Sequence, residues 1–218
     1  MKHKIGYFLL DLVYPTRCVF CRRSMPPGKP GICPKCEDRL PFTENGGRRR
    51  GDFFAECISA LYYEGDVWEA IHRYKFQGVQ AYAEVFGELT ASCIYENLHD
   101  DFDILSWVPL DPRRRRSRGY DQTEMIARVV GKRLCREPET VLRKRRGVRP
   151  QSDTGAPEAR KANIAGAYHV IDSEKVIGKR ILLIDDIVTT GSTLSECAKT
   201  LLLAGAEEIR CATLASTR

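Results

Sequence analysis

The sequence predicts an α/β fold, a parallel sheet flanked by helices, with a small metal-held module at its N-terminal end. Three observations predict it. One apolar run late in the chain and a second near its middle each lead through a polar turn into an amphipathic helix. Ahead of both stand four cysteines in two C-x-x-C pairs, in a stretch too rich in proline and glycine to build a core of its own.

The late run, RILLIDDIVTTGSTLSECAKTLLLAGA from Arg180 to Ala206, is the centre. Ile181 to Ile184 and then Ile187 bracket Asp185 and Asp186, which predicts a strand buried on both faces that ends at the two carboxylates. Thr189, Thr190, Gly191, Ser192 and Thr193 put four hydroxyls and a glycine into the turn. A helix follows with Leu194, Ala198, Leu201 and Leu202 on one face and Gly205 as its left-handed cap. Strand, hydroxyl-rich turn and helix N-terminus make a phosphate cradle, because unpaired amides and the positive end of the helix dipole point at the anion. No lysine follows the glycine as in a Walker loop, and a dinucleotide turn needs more glycines. Two acids just ahead of such a cradle suit the hydroxyls of a ribose carrying a 5′-phosphate, with Mg²⁺ nearby. The plain alternative is a buried strand with solvated end residues and an ordinary capped helix.

From Ile181 to Thr193 the chain resembles the type I phosphoribosyltransferases. The resemblance implies that the turn holds the 5′-phosphate of phosphoribosyl pyrophosphate, and that Asp185 and Asp186 meet the ribose hydroxyls directly or through the waters of a magnesium ion.

At 218 residues the chain has room for one α/β domain of about 150 residues and a small extra module. No segment approaches the roughly 20 apolar residues that cross a bilayer. The opening MKHKIGYFLLDLVYP has a basic start and a short apolar run, but Asp11 interrupts it and no small-residue cleavage site follows, so a packed N-terminal helix and a cytoplasmic protein are expected. Cys18, Cys21, Cys33 and Cys36, spaced C-x2-C-x11-C-x2-C, can close a tetrahedral structural Zn²⁺ site whose metal supplies the module's folding energy. A redox dithiol is the alternative for either pair. Cys57, Cys93, Cys135, Cys197 and Cys211 lie in apolar segments and read as buried small hydrophobes. The net charge of +6 gathers in three runs, Arg48 to Arg50, Arg113 to Arg118 and Arg143 to Arg149, and so predicts local anion sites.

Thr43 to Asp52, TENGGRRRGD, has no apolar period and is expected to be a linker, dividing an N-terminal helix and zinc module (1–50) from an α/β domain (51–218). Cys57 to Gly65 reads as a short strand, Asp66 to Phe76 and Ala81 to Tyr95 as helices. Lys75 ends the first of these, either as a cation at a helix C-terminus or as a phosphate contact. Asp103 to Leu110 is the second buried strand, and DPRRRRSRGYDQ, from Asp111 to Gln122, a charged loop before a helix with Ile126, Val129, Val130 and Leu134 on one face. Arginine suits a site after a parallel strand, because its planar fork binds phosphate oxygens in pairs. A solvated basic loop is the alternative. Asp111, Arg116 and Arg118 join the candidate site. From Val141 to Ala167 the apolar period is lost, as in a long functional loop, and Glu208 to Ala215 supplies a last strand. His3, His72, His99 and His169 show no catalytic spacing.

The cysteine module, YKFQG, VPLDPRRRRSRGYDQ and the late motif, in that order, resemble the ComF family of competence-associated proteins over nearly the whole chain. Gln122, Gln151, Arg160 and Asn163 fit its pattern, whereas Tyr120 and Asp121 replace an aromatic and an asparagine. The resemblance implies a hood near residues 141–167 that closes over the diphosphate, and work in DNA uptake with an unspecified acceptor. One expectation is an enzyme in which Arg116, Arg118 and Mg²⁺ neutralise the departing diphosphate while Asp185 and Asp186 stabilise positive charge on the ribose. The other is an adaptor for single-stranded DNA and its uptake or recombination proteins, in which basic runs interleaved with Tyr62, Tyr63, Tyr74, Phe76 and Tyr120 track a strand.

Overall fold

The computed structural model describes residues 16–26, 28, 31–98, 101–145 and 166–218. In chain order its elements are α1 (Pro34–Glu37), β1 (Glu56–Tyr62), α2 (Gly65–Phe76), α3 (Tyr82–Asn97), β2 (Ile104–Trp107), α4 (Pro112–Arg118), α5 (Gln122–Leu134), β3 (Leu142–Lys144), β4 (Tyr168–Val170), β5 (Arg180–Val188), α6 (Ser192–Leu203) and β6 (Glu208–Ser216). Four strands form one parallel sheet in the order β1-β6-β5-β2, and β3 pairs with β4 in an antiparallel hairpin.

Parallel strands joined through helices are covered on both faces, and the alternation of side chains along β5 shows how. Leu182 and Ile184 join a cluster with residues of α2, α3 and α5, whereas Ile181 and Leu183 join a second one with residues of α6 and the β3–β4 hairpin. Gly87 lets α3 lie close on α5, since a Cβ there would come within 2.4 Å of Val129 Cβ. The helix α6 ends as expected: Gly205 takes φ 98°, its N–H donates to Leu202 O, and Ala206 N–H donates to Leu201 O.

Several elements depart from the sequence expectation. Strand β5 does not end at Asp185 and Asp186. It runs through both to Val188, because β6 stays in register alongside it as far as Ser216. The stretch from Thr43 to Asp52 is no free linker. Arg49 and Cys57 exchange backbone hydrogen bonds of 2.9 and 2.7 Å, and Thr43 N–H donates to Ala60 O, so the segment covers the edge of the sheet that β1 would otherwise expose. The arginine loop is the helix α4, started by the cap Asp111 and by Pro112, and stopped by Gly119 at φ 81°. The segment after Val141 opens with a strand: Val141 and Leu142 are buried, and Arg143 pairs with His169. Cys57, Cys93, Cys197 and Cys211 are buried, but Cys135 is exposed at the left-handed cap of α5, φ 54°. The expected N-terminal helix and His3, His99, and the hood with Gln151, Arg160 and Asn163 lie outside the described residues.

The cysteine module packs against the sheet domain. Cys18, Val19, Phe20, Cys33, Cys36 and Leu40 belong to the same apolar cluster as α2 and α3, with the Phe20 and Phe86 rings 6.3 Å apart. Arg73 of α2, only 6 % exposed, donates from Nη2 to the carbonyls of Val19 (2.9 Å) and Phe20 (2.6 Å), which lie between the first two cysteines. Buried carbonyls left without a donor are costly, so Arg73→Met should lower stability by about 2–4 kcal/mol with zinc content retained. Denaturant unfolding of the two proteins checks this, and a loss below about 0.5 kcal/mol, the level of an ordinary surface change, would contradict it.

Candidate functional site

The acid pair sits where β5 emerges between α2, α5 and the hairpin. Adjacent residues of a strand point to opposite faces, so the two carboxylates have different surroundings. Asp186, 5 % exposed, is held by protein: Lys75 Nζ at the C-terminal end of α2 donates to Oδ1 (2.8 Å), and Gln122 Nε2 at the start of α5 donates to Oδ2 (3.3 Å). Asp185, 9 % exposed, accepts from the backbone N–H of Asp186 through Oδ1 (2.8 Å). Burial first, and the charge of Asp186 second, push the Asp185 carboxyl well above the usual carboxylate range.

The turn after β5 has the geometry of an anion cradle. Gly191 takes φ 74° and caps α6 with no side chain of its own; Ser192 N–H donates to Thr190 Oγ1 at a long 3.4 Å, and the amides of the helix N-terminus are otherwise left uncapped by side chains among the described residues. A side chain at this φ would be strained, which is why glycine stands here. The Thr190 and Ser192 hydroxyls bond each other at 2.8 Å beside those amides. Arg49 Nη1 donates to Thr189 O (2.9 Å) and fixes the turn from the segment ahead of β1. Thr189 and Thr190 are exposed, Ser192 and Thr193 half-buried.

Arg118 is the arginine of α4 that the fold brings toward the acids. Its guanidinium carbon lies 4.8 Å from the centroid of the Phe76 ring, and its Nη1 is buried with no hydrogen-bond partner among the described residues, as is Gln122 Oε1. Two orphaned polar atoms of opposite sense beside the acid pair suit a ligand with both acceptors and hydroxyls. Arg116 is exposed on α4 and does not reach the acids. Asp111 Oδ1 accepts from Arg113 N–H (2.9 Å) as the cap of α4. Lys75, read from the sequence as a helix-end cation or a phosphate contact, is placed against Asp186.

Arg49, a support of the turn after β5, is not singled out by sequence reasoning beyond its place in the basic run Arg48 to Arg50. Sequence reasoning also missed Lys144 and Tyr168 on the hairpin. Lys144 Nζ lies 5.2 Å from the Tyr168 ring centroid; burial pulls its ammonium below the usual lysine value, and Asp111 opposes the shift. The short apolar patches at Val141 and Leu142 and at Tyr168 and Val170 were the available signal. Asp121 explains its own departure from asparagine. Its Oδ1 caps α5 by accepting from Thr123 and Glu124 N–H (3.1 and 3.2 Å), while Oδ2 accepts from Leu110 N–H (2.8 Å), a pair of roles that needs two acceptor oxygens.

The four cysteines fit zinc. Their sulfurs all lie within 4.8 Å of one another, with Cys21 and Cys33 Sγ 3.7 Å apart, close to the roughly 3.8 Å edge of a tetrahedron with Zn–S bonds of about 2.3 Å. Burial would raise the Cys18 thiol, but N–H donors from Cys33, Cys21 and Phe20 bring it down to about 7, favouring the thiolate. Among the described residues no other group of His, Cys, Asp and Glu is gathered so closely, and no helix is long and apolar enough to cross a membrane.

The Asp185 shift has a pH consequence. A carboxyl whose folded pKa is raised makes the folded state bind more protons than the unfolded one above pH 3.8. Its favourable contribution is therefore full below that pH and declines as pH rises toward the raised value. Stability of the zinc-loaded protein without magnesium or ligand should fall over this range, and Asp185→Asn should flatten that slope. Denaturant midpoints from pH 4 upward measure it, and a variant profile parallel to the wild type would sink the assignment.

Two family models match the chain: a phosphoribosyl transferase domain over residues 124–218 and a double zinc ribbon domain over residues 9–60. Among similar proteins, "DNA utilization protein YhgH" of Escherichia coli O6:H1 is 27 % identical over 91 % of this chain and 96 % of its own length. "Competence protein F" of Haemophilus influenzae is 24 % identical over 89 % and 94 %. "Competence protein ComFC" of Streptococcus pneumoniae is 30 % identical over 63 % of this chain and 58 % of its own length. Relatives that align along nearly the whole chain, and a zinc ribbon model followed by a phosphoribosyl transferase model, agree with the order of modules seen here and support the resemblance to the ComF family.

Proposed function

We propose that the protein binds phosphoribosyl pyrophosphate with Mg²⁺ at the end of β5 and works in the handling of imported DNA. The observation that carries the reading is the continuity of acids and cradle: Asp185 and Asp186 sit four residues ahead of Thr189 and Thr190 on one strand and turn, with the unsatisfied Arg118 Nη1 beside them. In this reading the amides and hydroxyls of Thr190 to Thr193 take the 5′-phosphate. Asp185 and Asp186 accept from the ribose hydroxyls and stabilise positive charge that grows on the sugar. Arg118 and Arg116 take diphosphate oxygens, and Lys75 balances the charge of Asp186. The carboxylates are the right donors for a hard cation, and since both oxygens of Asp186 already have partners, Asp185 is the acid open to magnesium. The ion would neutralise the diphosphate. The DNA part of the reading rests on relatives described as DNA utilization and competence proteins.

Calorimetric titration with phosphoribosyl pyrophosphate and Mg²⁺ tests it. Binding should be present in the wild type and at least about tenfold weaker in Asp186→Asn, which loses a charge-assisted contact. No binding at millimolar ligand would remove the proposal. Pyrophosphate released when purine or pyrimidine bases are offered would establish turnover.

A second reading, an adaptor that binds single-stranded DNA, is favoured by one observation. On the solvent face of α2, Trp68 (48 % exposed) stacks on His72 at 5.3 Å and 20°, His72 meets Phe76 (62 % exposed) at 4.7 Å, and Arg118 caps that ring. Of the aromatics expected to track a strand, Tyr74 and Tyr120 are instead buried, tied together by the Tyr120 hydroxyl donating to Tyr74 O, and cannot stack on bases. Trp68→Ala should weaken binding of a single-stranded oligonucleotide about fivefold or more, since base stacking on an aromatic contributes about 1–3 kcal/mol. Anisotropy titrations at fixed salt measure it, and unchanged affinity would dismiss the ladder as the contact.

A further inference from the structure

The cradle opens on a side that the acid pair does not face. A cavity of about 370 Å³ is walled there by Arg49, Arg50 and Phe53, by the turn from Thr190 to Ser192, and by Lys199 of α6; among the described residues neither Asp185 nor Asp186 lines it. From Ser192 to Lys199 the wall follows α6 for about 10 Å. Lys199 Nζ stands 5.5 Å from the centroid of the Phe53 ring, which is 38 % exposed. Among the described residues Arg50 and Lys199 carry no ion pair, whereas Arg49 is engaged with Thr189 O. Asp52 and Glu196 are also in the wall, and Glu196 accepts from Gly166 N–H, so the three cations outnumber the acids.

A phosphate monoester seated on the turn fills only one end of this space. Its oxygens end at the amides, and the cavity beyond them, of the size that takes a small organic ligand, has a ring to stack on and cations for another anion. We propose that the cradle accepts a 5′-phosphodiester: one nucleotide directs its ribose toward the acids, and the nucleoside on the other side of the same phosphate fills the cavity. Its base lies against Phe53, and its own 5′-phosphate meets Arg50 and Lys199. This rests on the reading that the cradle holds a ribose 5-phosphate group, and extends the ligand class from a free sugar phosphate to the 3′-terminal nucleotide of a strand or a dinucleotide.

The test compares affinities of the full chain for phosphoribosyl pyrophosphate, AMP and the dinucleotide pApA, in ribose and deoxyribose forms; the preferred sugar identifies an RNA or a DNA end as the source. The dinucleotide should bind about tenfold tighter than AMP, the size of one stacked base. Phe53→Ala and Arg50→Gln should each remove most of that gain while leaving phosphoribosyl pyrophosphate within about twofold. The proposal is overturned if pApA binds no tighter than AMP, or if Arg50→Gln weakens all three ligands alike, which would make the cations supports of a monoester. Should pApA bind through Phe53 while phosphoribosyl pyrophosphate does not bind, the diester site stands and the earlier choice of ligand falls. If neither binds, both fall.

Discussion

Two adjacent carboxylates buried in the C-terminal half of one strand set the terms for everything around them. An ionised carboxylate away from water is tolerated only with partners, and a strand sends its neighbours to opposite faces. The chain answers the two needs unequally. Asp186 points toward α2 and α5, which place an ammonium and an amide on its two oxygens. Asp185 has a backbone N–H on one oxygen, and its carboxyl holds its proton more tightly than an ordinary carboxyl does. One acid is thus already balanced within the protein, and the other keeps capacity for something that arrives.

This asymmetry gives the flanking helices their purpose. The last turn of α2 has to hold Lys75 in place, and Tyr74 beside it is anchored in the core, its hydroxyl donating to Gln122 O at 2.7 Å. The start of α5 has to hold Gln122 in place, and Asp121 does so by tying the cap of α5 to the end of the loop after β2. Helix α4 lies between these two points and presents its arginines, with Arg118 turned inward onto Phe76 and Arg115 turned to Glu124 at 3.1 Å. The arrangement follows the general rule that open parallel sheets carry their sites beyond the C-terminal ends of the strands.

Much of this was legible in the residues. The body of strand β5, the glycine turn after it, α6 with its Gly205 cap and the four-cysteine cluster follow from local patterns, since each is written in contiguous sequence. What was not legible depends on partners far apart in the chain. The edge of β1 is covered by a segment whose composition alone reads as a linker, and nothing within TENGGRRRGD announces that Arg49 pairs with Cys57. The arginines of α4 looked like a loop because charge hides helix propensity when no apolar face accompanies it; the cap Asp111 with Pro112 after it was the clue. The hairpin strands are three residues each, too short for a period to be recognised. The pairing of Lys75 with Asp186 joins residues 111 positions apart, beyond any motif.

Arg73 and Lys75 occupy the same final turn of α2, and they face different tasks. The first grips the peptide carbonyls inside the cysteine loop; two residues later the second reaches the acid. The pitch of that turn is therefore clamped from outside, and a metal ion held by four sulfurs would act at a distance as the setscrew for an ammonium group. Zinc in this molecule would then be a matter of alignment as much as of folding: were it lost, the first thing to drift would be the counter-charge of Asp186.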